Sequence, residues 1–158
     1  MLHEPRINFE GLLIHGGGDR SYAYTQIFRN GCLEAVHENL LDRGCGRYQN
    51  KIPVRSLEDS ILRYLPFCTR VLDDMGCKPP ISVMMSLIGA KDMYLEVNQY
   101  IYPDGYPISH DPLVIPEAVI QDFTVSAGKI LKPVFDIVWN ACGFSKTPYL
   151  DEEGNWNG

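Results

Sequence analysis

The chain has 158 residues, 45% hydrophobic and 22% charged, the balance of an ordinary globular domain that buries roughly two thirds of its unfolded surface without help from a metal or a disulfide. Fourteen Lys+Arg against twenty Asp+Glu leave a formal charge of -6, which disfavours contact with a phosphate backbone unless the basic groups gather on one face. Cys32, Cys45, Cys68, Cys77 and Cys142 are odd in number, form no C-x-x-C pair and follow no signal peptide, and no apolar run approaches the roughly 18 residues of a membrane span, so a reduced cytoplasmic chain without membrane contact is expected.

Residues 7–14 form an apolar segment that runs into Gly16-Gly17-Gly18-Asp19, which predicts a strand followed by a loop. The segments 24–29 and 32–36 flank Asn30-Gly31, a pair suited to the positive φ angles of a two-residue type I′ turn, so they are expected to pair as a β-hairpin. Residues 42–53 carry glycines and basic residues without apolar periodicity and read as a loop. Leu57, Ile61, Leu65, Cys68, Leu72 and Met75 then lay one apolar stripe along a helix, with Ser56 as its cap, Gly76 as its stop and Pro66 as a kink or break. Ile81, Val83, Met85 and Leu87 alternate as a strand, with a partner strand expected at residues 93–97 across a turn. The prolines between 100 and 116 predict an irregular stretch with at most a short strand at residues 113–115. A last helix, about 126–142, turns Leu131, Val134, Val138 and Ala141 inward and ends at Gly143.

The chemical motifs are sparse. His15-Gly16-Gly17-Gly18 has the shape of an oxyanion loop, but no G-x-S-x-G accompanies it. Gly128-Lys129 is not followed by Ser or Thr, so no phosphate-binding loop is present, and His3, His15, His37 and His110 lack zinc-ligand spacing. No catalytic residue, cofactor or metal is assigned on these grounds. Arg43, Arg47, Lys51 and Arg55 recur every four residues and are candidate phosphate contacts, although Gly44, Gly46 and Pro53 favour a solvated loop. Tyr149, Asp151, Glu152 and Trp156 are candidate partner contacts, because large aromatics in a tail add apolar surface that only docking removes from water. The packing of Trp156 on this domain or on a partner chain, with residues 151–153 at the rim, is the expectation.

Four phrases occur in order: Tyr24-Thr25-Gln26-Ile27-Phe28-Arg29-Asn30-Gly31, Pro79-Pro80-Ile81-Ser82-Val83-Met84-Met85-Ser86-Leu87-Ile88-Gly89, Val138-Trp139-Asn140-Ala141-Cys142-Gly143 and Asp151-Glu152-Glu153-Gly154-Asn155-Trp156. Together they resemble the C-terminal region of bacterial proteins that carry a Schlafen-type, AlbA-like domain at the N-terminus and are labelled putative DNA-binding or ATP-binding. The resemblance runs from about residue 7 to 156. The AlbA-like domain itself, on which those labels rest, has no counterpart in these residues, so none of its ligand residues is carried over. The resemblance implies an excised domain, a truncated reading frame or a free-standing relative that works with a partner.

The reading is therefore an α+β fold. An antiparallel sheet is expected from the segments near Ile7, Tyr24, Cys32, Ile81 and Met93, with residues 81–87 at its centre and the two helices covering it. Residues 1–148 form one accessory domain and residues 149–158 an acidic, aromatic tail. The expected function is that of an accessory or interaction domain without catalytic machinery of its own, its partner a protein: the AlbA-like domain, or a second copy. The alternatives are a nucleic-acid-binding module using the basic residues with Tyr22, Tyr24 or Tyr48, and a small enzyme or ligand-binding domain whose site is assembled from distant residues.

Overall fold

A computed structural model describes residues 5–17, 21–38, 50–97 and 105–158. The expected first strand is two strands, because the Asn8 side chain accepts from the backbone N–H groups of Glu10 and Gly11 and turns the chain back. β1 (Arg6–Ile7) therefore pairs antiparallel with β2 (Gly11–Gly17), which continues through His15-Gly16-Gly17 beside β3 (Ser21–Phe28), with a register shift between Gly16 and Gly17. β4 (Leu33–His37) completes an antiparallel sheet of order β1-β2-β3-β4.

The hairpin at Asn30-Gly31 is present, with a different turn. Gly31 has a left-handed φ of 86°, whereas Asn30 does not. Phe28 N–H donates to the Cys32 carbonyl at 2.8 Å and Gly31 N–H to the Phe28 carbonyl at 3.1 Å. The loop thus spans Arg29, Asn30 and Gly31, the three-residue connection that places its glycine in the left-handed region. Gly31→Val is expected to lower stability by more than about 1 kcal/mol, since a β-branched residue is strained at positive φ. A urea midpoint equal to that of the wild type would contradict the turn assignment.

α1 (Val54–Asp74) starts three residues before Leu57, where its stripe begins. Pro53 is the N-cap and no side chain caps the helix, so Ser56 lies in the first turn and not at the cap. Proline is tolerated at a helix start because its missing N–H would be unpaired there anyway. Pro66 neither ends nor splits α1; it is exposed, and the Thr69 hydroxyl donates to its carbonyl at 3.0 Å. α2 (Ala127–Asn140) begins at Ser126, whose hydroxyl accepts from Lys129 N–H. Gly76 and Gly143, both at positive φ, follow the two helix ends as expected.

The strands after α1 are arranged differently from the expectation. β6 (Ile81–Leu87) does not join the N-terminal sheet and is not paired with the segment after it. β7 (Tyr94–Leu95) pairs in parallel with β5 (Lys51–Ile52), and β6 pairs antiparallel with β8 (Leu113–Ile120). β8 is an eight-residue strand where prolines had argued for irregular chain. Its register explains how: Val83 faces Ala118 and Met85 faces Ile115, so two steps on β6 oppose three on β8, and Pro116 falls in that bulge. A bulge is a place where a strand tolerates a residue without an N–H.

The core lies wholly in the second part of the chain. Ile52, Val54 and Leu57 meet Leu87, Ile115, Leu131, Phe135 and Trp139 in one cluster, while among the described residues β1–β4 contribute no buried hydrophobic side chain. The N-terminal sheet is tied on by smaller contacts. Thr25 shares a side-chain hydrogen bond with Tyr64 of α1, and a Cβ added at Gly31 would lie 3.4 Å from the Cys77 Sγ. No described helix is long and apolar enough to cross a membrane.

Candidate functional site

The most constrained polar group in the described residues is Glu58. It follows Leu57 on the inner side of α1, at helical spacing from Val54 and Ile61, and is 1% exposed. A buried carboxylate requires donors on both oxygens or its burial is strongly unfavourable. Trp139 of α2 supplies one, donating its Nε1–H to Oε1 at 2.7 Å. Thr147, beyond α2, supplies the other from its hydroxyl to Oε2 at 2.8 Å. One carboxyl thereby joins α1, α2 and the C-terminal segment. Burial pushes its pKa up to about 7 against the lowering pull of the two donors, and the charge of nearby Asp136 adds to the rise.

The C-terminal segment is built around that node. Thr147 N–H donates to Asp136 Oδ1 at 2.9 Å, and Lys132, itself largely buried, donates to Asp136 Oδ2 at 2.8 Å. Phe144 and Tyr149 each meet the Trp139 ring edge-on, and Trp156 packs on Tyr149. Asp151 closes the return of the chain: its carboxylate accepts from the backbone of Glu153 and Asn155 and from the Asn155 side chain, which holds its pKa below the usual range. Gly154 then rests on the first turn of α2. A Cβ on Gly128 would lie 2.0 Å from the Gly154 carbonyl oxygen, so both positions require glycine for the segments to touch.

These contacts place the candidate partner residues. Tyr149 and Trp156 are half-buried on their own domain, Asp151 is committed to the turn, and Glu152 is exposed and paired with Lys146 and Lys132. Of the candidate phosphate contacts, Arg43 and Arg47 lie outside the described residues, Lys51 is half-buried on β5, and Arg55 is exposed in the first turn of α1. Of the glycines after His15 that suggested an oxyanion loop, Gly16 and Gly17 are ladder residues, opposite Ala23 and Ser21, and Gly18 lies outside the described residues. Cys68 and Cys142 are buried and pushed up to about 11, which leaves them protonated and unreactive at neutral pH. Among the described residues no group of three His, Cys, Asp or Glu side chains could hold a metal ion.

Comparisons of the chain with protein-family models, with curated proteins and with solved structures find no match. The functional reading therefore rests on the chain's own surface and interior. The interior node has the geometry of a fastener: Glu58, Trp139 and Thr147 are all essentially buried, and both carboxyl oxygens are already engaged. The surface shows a different feature. On the outer face of the β6–β8 ribbon, Met84, Val114 and Val119 are 79%, 66% and 41% exposed, and Ile88 in the turn after β6 is 78% exposed.

Pattern reading missed Glu58 and Thr147 because charged and hydroxyl residues are assigned to the surface by default. The spacing held a usable signal: Val54, Leu57, Glu58 and Ile61 stand at i, i+3, i+4 and i+7, which puts Glu58 on the apolar stripe. Thr147 carried no comparable signal, since its role depends on where the chain returns after Gly143.

Proposed function

We propose that this chain is an accessory interaction domain that works through surface contacts with protein and accompanies an AlbA-like domain of a bacterial Schlafen-type protein, a reading supported by the four-phrase resemblance. The observation that carries the reading is the outer face of the β6–β8 ribbon. Met84 of β6 and Val114 and Val119 of β8 project there, the two valines opposite Ser86 and Ser82, and Ile88 is exposed in the turn that follows β6. Large apolar side chains so exposed on one face of a strand pair mark a surface that a partner covers. The interior supports the same reading, because the buried Glu58 carboxyl is spent on holding three segments together.

A nucleic-acid titration tests this. With a charge of -6, the isolated chain is expected to bind labelled duplex DNA no more tightly than about 10⁻⁴ to 10⁻⁶ M at physiological salt, the non-specific range. Sub-micromolar, salt-sensitive binding that disappears in Arg43→Ala and Arg47→Ala variants would replace the interaction reading with that of a nucleic-acid module.

A further inference from the structure

Among the described residues, β6 is hydrogen-bonded along one edge only, to β8. In such a strand every second residue directs its N–H and C=O to the free edge, which is a template for another strand unless something blocks it. Three other edge strands among the described residues carry blocks. β8 has the bulge with Pro116 and Glu117, β4 carries Glu34 and His37 and runs into Glu38, and β1 is two residues long and includes Arg6. β6 reads Ile-Ser-Val-Met-Met-Ser-Leu, with no charge and no proline.

The core layer is also unfinished on that side. Ile115 and Ile120 of β8 are fully buried, whereas Ile81, Val83 and Met85 on the same inner face of β6 remain half-buried. A further strand beside β6 would cover them. Charge selects the occupant. Two copies of a chain with charge -6 repel over most of their surface, yet seven uncharged residues of β6 can meet their own image without opposing like charges. Ahead of β6, Lys78 is held in an ion pair with Asp73 of its own chain, and at the far end Asp111 accepts from Gly89 N–H.

We infer that the chain self-associates by antiparallel pairing of β6 with β6 of a second copy. This rests on the reading of the domain as an interaction module and names its partner. With Met84 at the axis, Ser82 stands opposite Ser86 of the second copy and Val83 opposite Met85. The ribbons fuse into one four-stranded sheet of order β8-β6-β6-β8, and the two outer apolar faces become a single platform.

Sedimentation velocity of the full chain over a wide concentration range provides the test, with Met84→Lys as the variant. Its side chain is largely exposed, so thermal unfolding of the monomer should be unchanged, while two lysines set directly opposite should weaken the dimer at least about tenfold. A Met84→Cys variant in a Cys32→Ser background should give a covalent dimer when diamide takes two electrons and two protons from the paired thiols. A wild-type chain that stays monomeric at every concentration, or a dimer that is neither weakened by Met84→Lys nor cross-linked through Cys at position 84, overturns the inference. Those outcomes leave the interaction reading standing, because tight DNA binding is the result that removes it.

Discussion

Truncation after Ser145 is expected to lower stability by at least about 4 kcal/mol, from the lost burial of one large apolar side chain and parts of two aromatics together with an orphaned buried acceptor. That is a large share of the 5–15 kcal/mol that holds an ordinary domain folded. The deletion removes Leu150, which is 4% exposed, and the rings of Tyr149 and Trp156 that pack outward from Trp139. It also removes the Thr147 hydroxyl from Glu58 and the Thr147 N–H from Asp136, stranding one buried carboxyl oxygen. The half-burial of Trp156 on its own chain makes this a loss of monomer stability, in contrast to a tail that docks only on a neighbour. Thermal melts of full and truncated chains, with Trp139 emission as the probe, check it. An unchanged melting temperature would mean that residues 146–158 are a passive extension.

The second large effect is a pH dependence that belongs to one residue. The Glu58 carboxyl has a folded pKa of about 7 against an ordinary value of 4.5. Between those two values the folded chain holds a proton that the unfolded chain has released, so stability is fully present below 4.5, declines as pH rises and levels off above 7. The shift corresponds to about 3 kcal/mol across that window. Glu58→Gln should abolish this decline and be the more stable protein at alkaline pH. Its amide oxygen still accepts from Trp139, and its NH₂ can donate to the Thr147 hydroxyl, which carries lone pairs of its own. Asp122, Asp151 and Glu152 are held below their usual range by local hydrogen bonds and lysines and contribute the opposite slope in more acid solution. Both proteins share those groups, so the difference between wild type and variant isolates Glu58. Urea midpoints at about pH 5 and about pH 8 decide the matter: parallel pH profiles for the two proteins would place the buried proton elsewhere.

Both effects depend on the same three-way junction, which gives the C-terminal segment its place in the domain. A carboxyl on α1 is satisfied only if α2 presents Trp139 and the returning chain presents Thr147. Loss of either donor leaves an acceptor without water to replace it. The ribbon meets α2 chiefly through β8. Changes at the junction and changes at the β6 edge should therefore be separable, since they share no residue.

Features set by local chemistry were legible in the sequence. Both helices came from apolar spacing at 3.6-residue period, the hairpin from Asn30-Gly31, and the helix ends from Gly76 and Gly143, because each depends on a few adjacent residues. The strand at Ile81–Leu87 came from alternation, which also marked its inner face. Strand partnership was not legible. β6 finds β8 across more than twenty intervening residues, and Pro116 is admitted only because the register places it in a bulge that exists once the two strands have met. The same holds for β5 and β7, two residues each and paired in parallel, whose pattern is too short to carry a period. The turn type at Gly31 likewise followed from which carbonyl Phe28 N–H could reach. The Glu58 junction is the fullest case: sequence pattern assigns a glutamate to water, and only the convergence of α1, α2 and the return after Gly143 supplies the two donors that make its burial tolerable.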